Sequence, residues 1–285
     1  MSDLALNETF STTNGSAPRA LGLGFSPCPN DTFMFHALVH GRVEIPDCRV
    51  SPVLHDVETL NEMARHKTLE LTKLSFFALF DLAGDYRLLN AGAAMGHGCG
   101  PILVARRAMD PRSLPRCRVV VPGQWTTAHL LFRLWAPQAG PCRFIPYDRI
   151  MAAIGSGEAD CGVIIHENRF TYHQYGLVKI VDLGEWWESQ TGLPIPLGCI
   201  AARADLPEVV IQGAERAIRA SIAQARQAPQ ASLAYIHQHA REMEPSVLER
   251  HIETFVNDYS LDLGEAGRAA VAVLQERARK AGVLP

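Results

Sequence analysis

The amino-acid sequence predicts an α/β protein of two lobes with a central cleft between them. Short apolar runs alternate with segments of helical spacing, which is typical of sheets covered by helices. The same order of elements recurs in a second part of the chain. Two further apolar runs lie between the repeated parts, as expected where a chain crosses from one lobe to the other. Lobes joined by two crossings can close over a ligand by a hinge motion.

The first repeat opens with a strand, a loop and a helix. Residues 21–25 are an apolar run that stops at a loop with two prolines. Asp31 or Thr32 can then cap a helix that continues to about Val39 and ends at Gly41. The preceding residues, 1–20, are rich in Ser, Thr, Asn and Ala and lack periodicity. We expect them to form a disordered leader outside the fold.

The second repeat opens in the same way. A β-branched run at 118–121 stops at a Pro-Gly pair, and Thr126 or Thr127 can cap the helix that follows to about Trp135. Each opening is followed by another helix and another apolar run, at 56–65 and 69–74 in the first repeat and at 148–154 and 161–165 in the second. A single offset of 91 residues aligns these segments and superposes Ser75 on His166.

The apolar runs at 101–106 and 197–203 each end in Ala-Arg, and we predict that they are the two crossings. The first lobe is then expected to hold residues 21–104 and 198–285, and the second lobe residues 105–197. Alternating strands and helices predict parallel sheets, in which ligands bind beyond the carboxyl ends of the strands. Ser75 and His166 both follow such ends, so we expect both at the cleft.

Composition argues against several classes of function. The formal net charge of −3 in 285 residues offers no strong field to nucleic acid or to an anionic membrane. Seven scattered cysteines without a CxxC pair, and no HExxH motif, predict neither disulfides nor a metal site. Walker and Rossmann glycine motifs are missing, so no nucleotide cofactor is expected. Nothing in the sequence looks like an export signal or a membrane span, and we expect a cytoplasmic protein.

His166 and Asp31 are the predicted catalytic residues. His166 ends an apolar run, and a histidine can exchange a proton near neutral pH without a cofactor. The alternative is a histidine that only forms a hydrogen bond at a strand end. Asp31 stands between Asn30 and Thr32, so a carboxylate, an amide and a hydroxyl share one edge of the cleft. The alternative role for Asp31 is a simple helix cap.

Three further segments are predicted to contact the ligand. The helix start at Thr126 and Thr127 offers free backbone N–H groups to an anion, or is an ordinary helix cap. Trp187, in a polar segment beside the second crossing, either stacks on an aromatic ligand or packs under the hinge. Residues 91–100 are rich in glycine, which permits close approach of the backbone to a ligand or freedom at a hinge.

Several motifs in combination resemble those of the 1,4-dihydroxy-6-naphthoate synthase family of the futalosine route to menaquinone. In chain order they are SPCPNDTF at 26–33, TKLS at 72–75, GCGP at 98–101, PG at 122–123 with TT at 126–127, IHE at 165–167 with RFTY at 169–172, and DLGEWW at 182–187. Each motif is modest alone, but their number and order are specific. The resemblance covers nearly everything after residue 21.

The resemblance implies a two-lobed, type 2 periplasmic-binding-protein-like fold and a carbon–carbon lyase that works by acid/base catalysis without a cofactor. The implied substrate is cyclic dehypoxanthinyl futalosine, a small acidic and partly aromatic molecule, and the implied product is 1,4-dihydroxy-6-naphthoate. The family's active-site histidine falls on His166 and its loop carboxylate on Asp31. The candidate binding residues are Asn30, Thr32, Ser75, Gly100, Thr126, Thr127, Arg169 and Trp187.

Two alternatives share this fold. A non-catalytic solute-binding protein of a transporter would have the same two lobes, although the lack of an export signal argues against it. The chorismate dehydratase of the same pathway resembles the fold but is expected to lack the loop at 30–32 and the tryptophan pair at 186–187. In each case the partner is a small molecule, and the chain is expected to be a monomer or a homodimer.

Overall fold

The computed structural model describes residues 17–240 and 244–284. Most of the predicted leader, residues 1–16, therefore lies outside the described residues. The prediction is wrong for Arg19 and Ala20, which already belong to the first strand. Both residues pair with the neighbouring strand, and the Arg19 N–H donates to the Asp47 carbonyl at 2.8 Å, so the sheet extends two residues beyond the apolar run.

Eleven strands occur in the described residues, and they form two sheets. In chain order the strands are β1 (Arg19–Phe25), β2 (Cys48–Leu54), β3 (Leu71–Ser75), β4 (Tyr86–Leu88), β5 (Ala94–Gly96), β6 (Ile102–Ala105), β7 (Val119–Val121), β8 (Cys142–Phe144), β9 (Cys161–Ile164), β10 (Val178–Asp182) and β11 (Ile195–Arg203).

The two sheets repeat one strand order. The first sheet runs β2-β1-β3-β11-β4, with β5 paired to β11, and the second runs β8-β7-β9-β6-β10. In each sheet the first three strands are parallel, and the fourth is antiparallel to the third. The predicted pair of similar halves is confirmed. The expectation of parallel sheets is wrong for β11 and β6, which enter from the other half and lie antiparallel to β3 and β9.

The apolar runs predicted as crossings form the strands β6 and β11, each of which lies within one sheet. β6 lies in the second sheet and β11 in the first, so the segments that join the sheets are residues 97–101 and 183–194. The lobes predicted as 21–104 with 198–285 and as 105–197 remain a prediction. Sheet membership places residues 102–104 with the second half and 195–197 with the first.

Twelve α-helices cover the sheets in the described part of the chain. They are α1 (Pro29–Val39), α2 (Val57–Arg65), α3 (Phe76–Asp81), α4 (Thr127–Trp135), α5 (Ile150–Ser156), α6 (Asn168–Thr171), α7 (Leu183–Thr191), α8 (Glu208–Gln227), α9 (Leu233–His239), α10 (Pro245–Phe255), α11 (Asp258–Leu261) and α12 (Gly264–Lys280). None of these helices combines the length and the apolar character that a membrane span requires.

Side-chain caps explain where two helices beside the cleft begin. Asp56 Oδ1 accepts the N–H groups of Glu58 and Thr59, each at 3.1 Å, and starts α2. Thr126 Oγ1 accepts the His129 N–H at 3.2 Å and starts α4. The cap predicted at Thr126 or Thr127 is therefore Thr126.

The predicted N-cap of α1, Asp31 or Thr32, lies three or four residues after the observed one. The helix begins at Pro29 with Cys28 as its N-cap, so Asp31 lies inside the first turn instead of capping it. Proline is favourable at the first helical position because its φ is already helical and its missing N–H has no partner there. The Asp31 carboxylate is thereby free for contacts beyond its own helix.

Buried apolar side chains pack on both sheets. In the first half, Leu21 of β1, Phe35 of α1 and Ile218 of α8 belong to one cluster. A larger cluster, here called the shared core, contains Phe77 from the first half and Leu131 from the second. The two halves are therefore packed against each other as well as joined by the chain.

Candidate active site

A cavity lies between the two halves, beyond the ends of strands from both sheets. Most of its wall is apolar, with Val57, Ala94, Ile165, Leu197 and Phe255 among the lining residues. Its polar lining residues are Ser26, Asn30, Lys73, Ser75, Thr126, Thr127 and His166. Five of the ten residues predicted for the site thus line one cavity through polar side chains, and a sixth, Gly100, lines it through its backbone.

His166 reaches the cavity from the turn between β9 and α6. Its φ is 56°, a left-handed conformation that residues other than glycine rarely adopt. Cys28 Sγ lies 3.5 Å from His166 Nδ1, and the Tyr147 ring meets the imidazole edge-on with 5.0 Å between centroids. Such backbone conformations persist where the surroundings enforce them, and they are concentrated at functional sites.

Burial lowers the pKa of His166 to about 4. Loss of hydration disfavours the imidazolium, and the nearby Asp31 charge offsets only part of that effect. The imidazole is therefore neutral at neutral pH and has a lone pair that can accept a proton. Burial also raises the pKa of the Cys28 thiol well above its usual value, so the thiol stays protonated beside Nδ1. With the ring proton on Nδ1, where the Cys28 sulfur can accept it, Nε2 carries the lone pair and is the ring nitrogen left for a ligand.

Asp31 lies behind the cavity wall. Its side chain is fully buried, and its Oδ2 accepts the Ser26 N–H at 3.0 Å and the Ser26 Oγ–H at 2.7 Å. Its Oδ1 accepts from Asn30 Nδ2 at 2.8 Å and from Lys73 Nζ at 2.5 Å. The structure therefore places this predicted catalytic carboxylate where it holds neighbouring side chains, with Asn30 and Lys73 between it and the cavity.

Lys73 lines the cavity, and the sequence analysis did not assign it a role. It stands on β3, a strand in which every residue is buried, and its own side chain is only 7% exposed. A lysine inside an otherwise buried strand is the signal that could have identified it, because a buried cation requires a specific partner.

His251 is a second residue near the site that the sequence analysis missed. It arrives on α10, and its Nε2 lies 2.9 Å from Asn30 Oδ1. Because Asn30 Nδ2 already donates to Asp31, the Asn30 oxygen is the acceptor and His251 is the donor. The His251 ring stacks on His166 with 6.3 Å between centroids, and burial lowers its pKa well below the usual value. A neutral imidazole thus supports Asn30 from behind.

Ser75 and the start of α4 line the cavity from the two halves. Ser75 Oγ accepts from Asn61 Nδ2 at 3.2 Å, and the Ser75 N–H donates to Asn61 Oδ1 at 3.0 Å. Thr127 Oγ1 donates to the Leu197 carbonyl at 2.7 Å, and Thr126 Oγ1 caps α4. Both threonine hydroxyls are engaged within the protein, so what this helix offers an anion is its backbone N–H groups.

Gly100 lines the cavity where the two joining segments touch. A Cβ on Gly100 would lie 2.3 Å from the Gly184 backbone nitrogen, so only glycine fits. Arg169 was predicted to bind the ligand, but it does not line the cavity. Its guanidinium donates to the carbonyls of Gly100 and, at 2.8 Å, of Gly98, and it pairs with Asp182 at 3.2 Å. Arg169 therefore positions the glycine segment.

Two predicted binding residues lie away from the cavity. Thr32 is fully buried, and its Oγ1 donates to the Cys28 carbonyl at 3.0 Å. Trp187 is fully buried in the shared core, where its Nε1 donates to the Pro194 carbonyl at 3.1 Å. Neither side chain lines the cavity, so the structure does not bring these two residues to the predicted site. For Trp187 the packing alternative is correct, since its ring is enclosed and its N–H is satisfied.

Comparison with known proteins places the chain in a family. A family model described as menaquinone biosynthesis matches residues 21–280. The chain belongs to this menaquinone biosynthesis family. A protein of Thermus thermophilus named 1,4-dihydroxy-6-naphthoate synthase is 50% identical over 264 residues, which cover 93% of this chain and 96% of the relative. A protein of the same name from Streptomyces coelicolor is 44% identical over 271 residues, with 93% and 95% covered.

Solved structures similar to this family member agree on the fold. A crystal structure of an Archaeoglobus fulgidus protein, 37% identical, gives a TM-score of 0.88 and covers 93% of this chain and 98% of that one. The alkanesulfonate-binding protein of Xanthomonas axonopodis, bound to MOPS, is 13% identical with a TM-score of 0.70, covering 95% and 96%. A Candida albicans protein with the generic periplasmic binding protein fold is 13% identical with a TM-score of 0.68, covering 93% and 90%. The predicted periplasmic-binding-protein-like fold is confirmed.

Three side chains of metal-binding type meet in this member of the menaquinone biosynthesis family. The candidate ligand atoms of Cys28, His166 and Glu167 lie within 4.8 Å of one another. A thiol must lose its proton before the sulfur can bind a metal, and burial raises the pKa of Cys28 well above its usual value. Cys28 and Glu167 are therefore close neighbours of the His166 imidazole, and Cys28 places a neutral thiol beside Nδ1.

Proposed function

We propose that this chain is a 1,4-dihydroxy-6-naphthoate synthase, a carbon–carbon lyase that acts on cyclic dehypoxanthinyl futalosine. The observation that carries the proposal is a neutral, half-buried His166 on a mostly apolar cavity, in a chain 50% identical to a protein of that name. Apolar walls suit an aromatic ring, and the start of α4 suits a carboxylate. The proposed enzyme acts in the cytoplasm as a monomer or homodimer.

In the proposed reaction, His166 Nε2 accepts a proton from a hydroxyl of the sugar-derived part of the substrate. The O–H electrons form a carbonyl, and the adjacent carbon–carbon bond breaks in a retro-aldol-like step. The electron pair of that bond passes into the ring system that becomes the naphthoate, and aromatisation makes the step favourable. Proton transfers alone balance these changes, so the proposal includes no cofactor.

The other site residues have supporting roles in this proposal. Asp31 is a positioning residue, because its two oxygens already accept four hydrogen bonds and it holds Lys73 and Asn30 in place. Ser75 and Asn30 orient substrate oxygens. The backbone at the start of α4 and at Gly100 binds the substrate where side chains leave room.

Incubation of the purified protein with cyclic dehypoxanthinyl futalosine tests the proposed function. We expect multiple turnovers to 1,4-dihydroxy-6-naphthoate, followed by the absorbance and the mass of the product, with no added coenzyme and with EDTA present. Tight binding without product would favour a solute-binding protein. Loss of water from chorismate, with the futalosine derivative left intact, would favour the dehydratase.

A further inference from the structure

Lys73 presents an incompletely bonded ammonium at the cavity wall. Among residues 17–240 and 244–284, the contact with Asp31 Oδ1 at 2.5 Å is the hydrogen bond that its Nζ makes, whereas an ammonium can donate three. The side chain is 7% exposed, so bulk water reaches little of it. Buried donors are costly unless something accepts from them. The two remaining N–H groups therefore need an acceptor, and the cavity that Lys73 lines is where a ligand can supply one.

The surroundings of Lys73 keep the ammonium in one place. Asp31 is itself held by Ser26 and Asn30, so the carboxylate cannot swing away with the lysine. On β11, a Cβ at Gly198 would lie 3.1 Å from Lys73 Cε, and glycine leaves room for the lysine stem. The Lys73 charge also helps to lower the pKa of His166, which indicates that the two side chains are close. A donor fixed in advance is most effective where negative charge develops during a reaction.

We propose that Lys73 is a catalytic residue whose ammonium donates hydrogen bonds to the substrate oxygen that becomes anionic as the carbon–carbon bond breaks. The proposal rests on the proposed function, because the retro-aldol-like step requires such an oxygen. His166 takes the hydroxyl proton, the bond breaks to leave a carbonyl on one fragment, and the bonding electron pair ends on an oxygen conjugated with the new ring. No atom or electron beyond those of substrate and His166 takes part.

A lysine with only a structural role would neutralise Asp31 and do nothing else. A double variant separates the two roles. Lys73→Met alone leaves the buried Asp31 without its counter-charge, which destabilises a protein. Asp31→Asn combined with Lys73→Met removes both charges and restores a neutral interior. The single variant Asp31→Asn is the reference, since it retains the ammonium.

Steady-state turnover, thermal melting and product binding are measured for the wild type, Asp31→Asn and the double variant. We expect the double variant to melt cooperatively and to bind 1,4-dihydroxy-6-naphthoate, while its kcat is about 10²-fold or more below that of Asp31→Asn. The loss falls on kcat more than on KM, because the anionic oxygen exists only as the bond breaks. The matched control Lys179→Met, at an exposed lysine paired with Glu185, keeps wild-type kcat.

A double variant with kcat within about tenfold of Asp31→Asn would overturn the proposal, since one donor's loss costs more than that in comparable sites. If the double variant does not fold, Lys73→Gln is judged by the same criterion against the wild type. Failure of the wild type itself to form naphthoate would instead refute the proposed function. The two failures are therefore distinguishable.

Discussion

Among single residues, His166 combines a left-handed backbone with a half-buried imidazole. The backbone conformation turns the side chain into the cavity, and the loss of hydration keeps the ring neutral. In the first half, Ser75 at the repeat position has an ordinary extended backbone and starts α3. The two halves thus keep the same strand end and use it differently, with the proton-accepting group on one side.

Replacement of His166 by asparagine tests the proposed proton transfer with little disturbance of the fold. Asparagine adopts left-handed backbone conformations more readily than most residues, so a φ of 56° can be kept while the imidazole is lost. We expect kcat to fall by about 10² or more. The control His237→Asn, at an exposed position of α9, keeps wild-type kcat. Wild-type turnover in His166→Asn would remove His166 from the mechanism.

The lowered pKa of His166 predicts how turnover responds to pH. A general base must be unprotonated, so we expect kcat/KM to stay level from about pH 7.5 to about 5.5 and to decline only as the pH approaches about 4. The charged and titratable groups around the ring are Cys28, Asp31, Asp56, Lys73, Tyr147, Glu167 and His251. A pH–rate profile with its acid limb near 6.5, the ordinary histidine value, would contradict this expectation.

At the scale of elements, helix α2 of the first half closes against the start of α4 in the second. Glu58 Oε1 accepts the Trp125 N–H at 3.0 Å, and Asn61 donates to Glu58 Oε2 at 3.0 Å. Gly123 makes this approach feasible, because a Cβ there would lie 2.5 Å from Glu58 Cγ. Arg65 lies over the Trp125 ring, 4.1 Å from its centroid. These contacts join the two halves beside the cavity.

Removal of the Glu58 carboxylate is expected to favour the open form. Glu58→Ala loses the hydrogen bond between the halves, so the form in which the halves are in contact is less populated. Binding must then restore that contact, and we expect product affinity to fall by about three- to tenfold. The measurement is a titration with 1,4-dihydroxy-6-naphthoate, together with the radius of gyration of the free protein from small-angle scattering. Glu62→Ala, exposed on the same helix, is the matched control. Equal affinities in both variants would show that Glu58 does not contribute to closure.

For the molecule as a whole, four buried or half-buried histidines make stability depend on pH. Burial is the largest cause of the lowered pKa of His36, His129, His166 and His251. An unfolded chain binds protons at these residues near pH 6.5, whereas the folded chain does so only at lower pH. The unfolded state therefore holds more protons in between. These histidines therefore do not reduce the free energy of unfolding above about pH 6.5. They reduce it increasingly as the pH falls towards about 4, the pKa of His166 in the folded protein.

Replacement of His251 by glutamine is expected to weaken this acid sensitivity. Glutamine does not titrate and still offers an N–H to Asn30, so unfolding takes up fewer protons and the melting temperature falls less between about pH 7 and about 5. Calorimetric scans over that range measure the slope for the wild type and the variant. His237→Gln, at an exposed position, serves as the control and keeps the wild-type slope. A His251→Gln slope as steep as that of the wild type would contradict the assignment.

Local sequence patterns were sufficient to predict the features that neighbouring residues encode. Alternation of apolar runs with helical spacing predicted both halves and helix α2, and a capping threonine predicted the start of α4. The constant offset between the halves placed Ser75 and His166 at equivalent strand ends, and both line the cavity. These features depend on residues a few positions apart, where steric and capping preferences act directly.

The burial of individual side chains and the pairing of distant residues became known from the packed molecule. Asp31 is enclosed behind Lys73, Trp187 is enclosed in the shared core, and His251 reaches Asn30 from a helix more than two hundred residues later in the chain. Each outcome depends on which distant elements pack together, and local sequence periodicity does not predict such contacts. Burial, a property of the packed molecule, is also what keeps the His166 imidazole neutral.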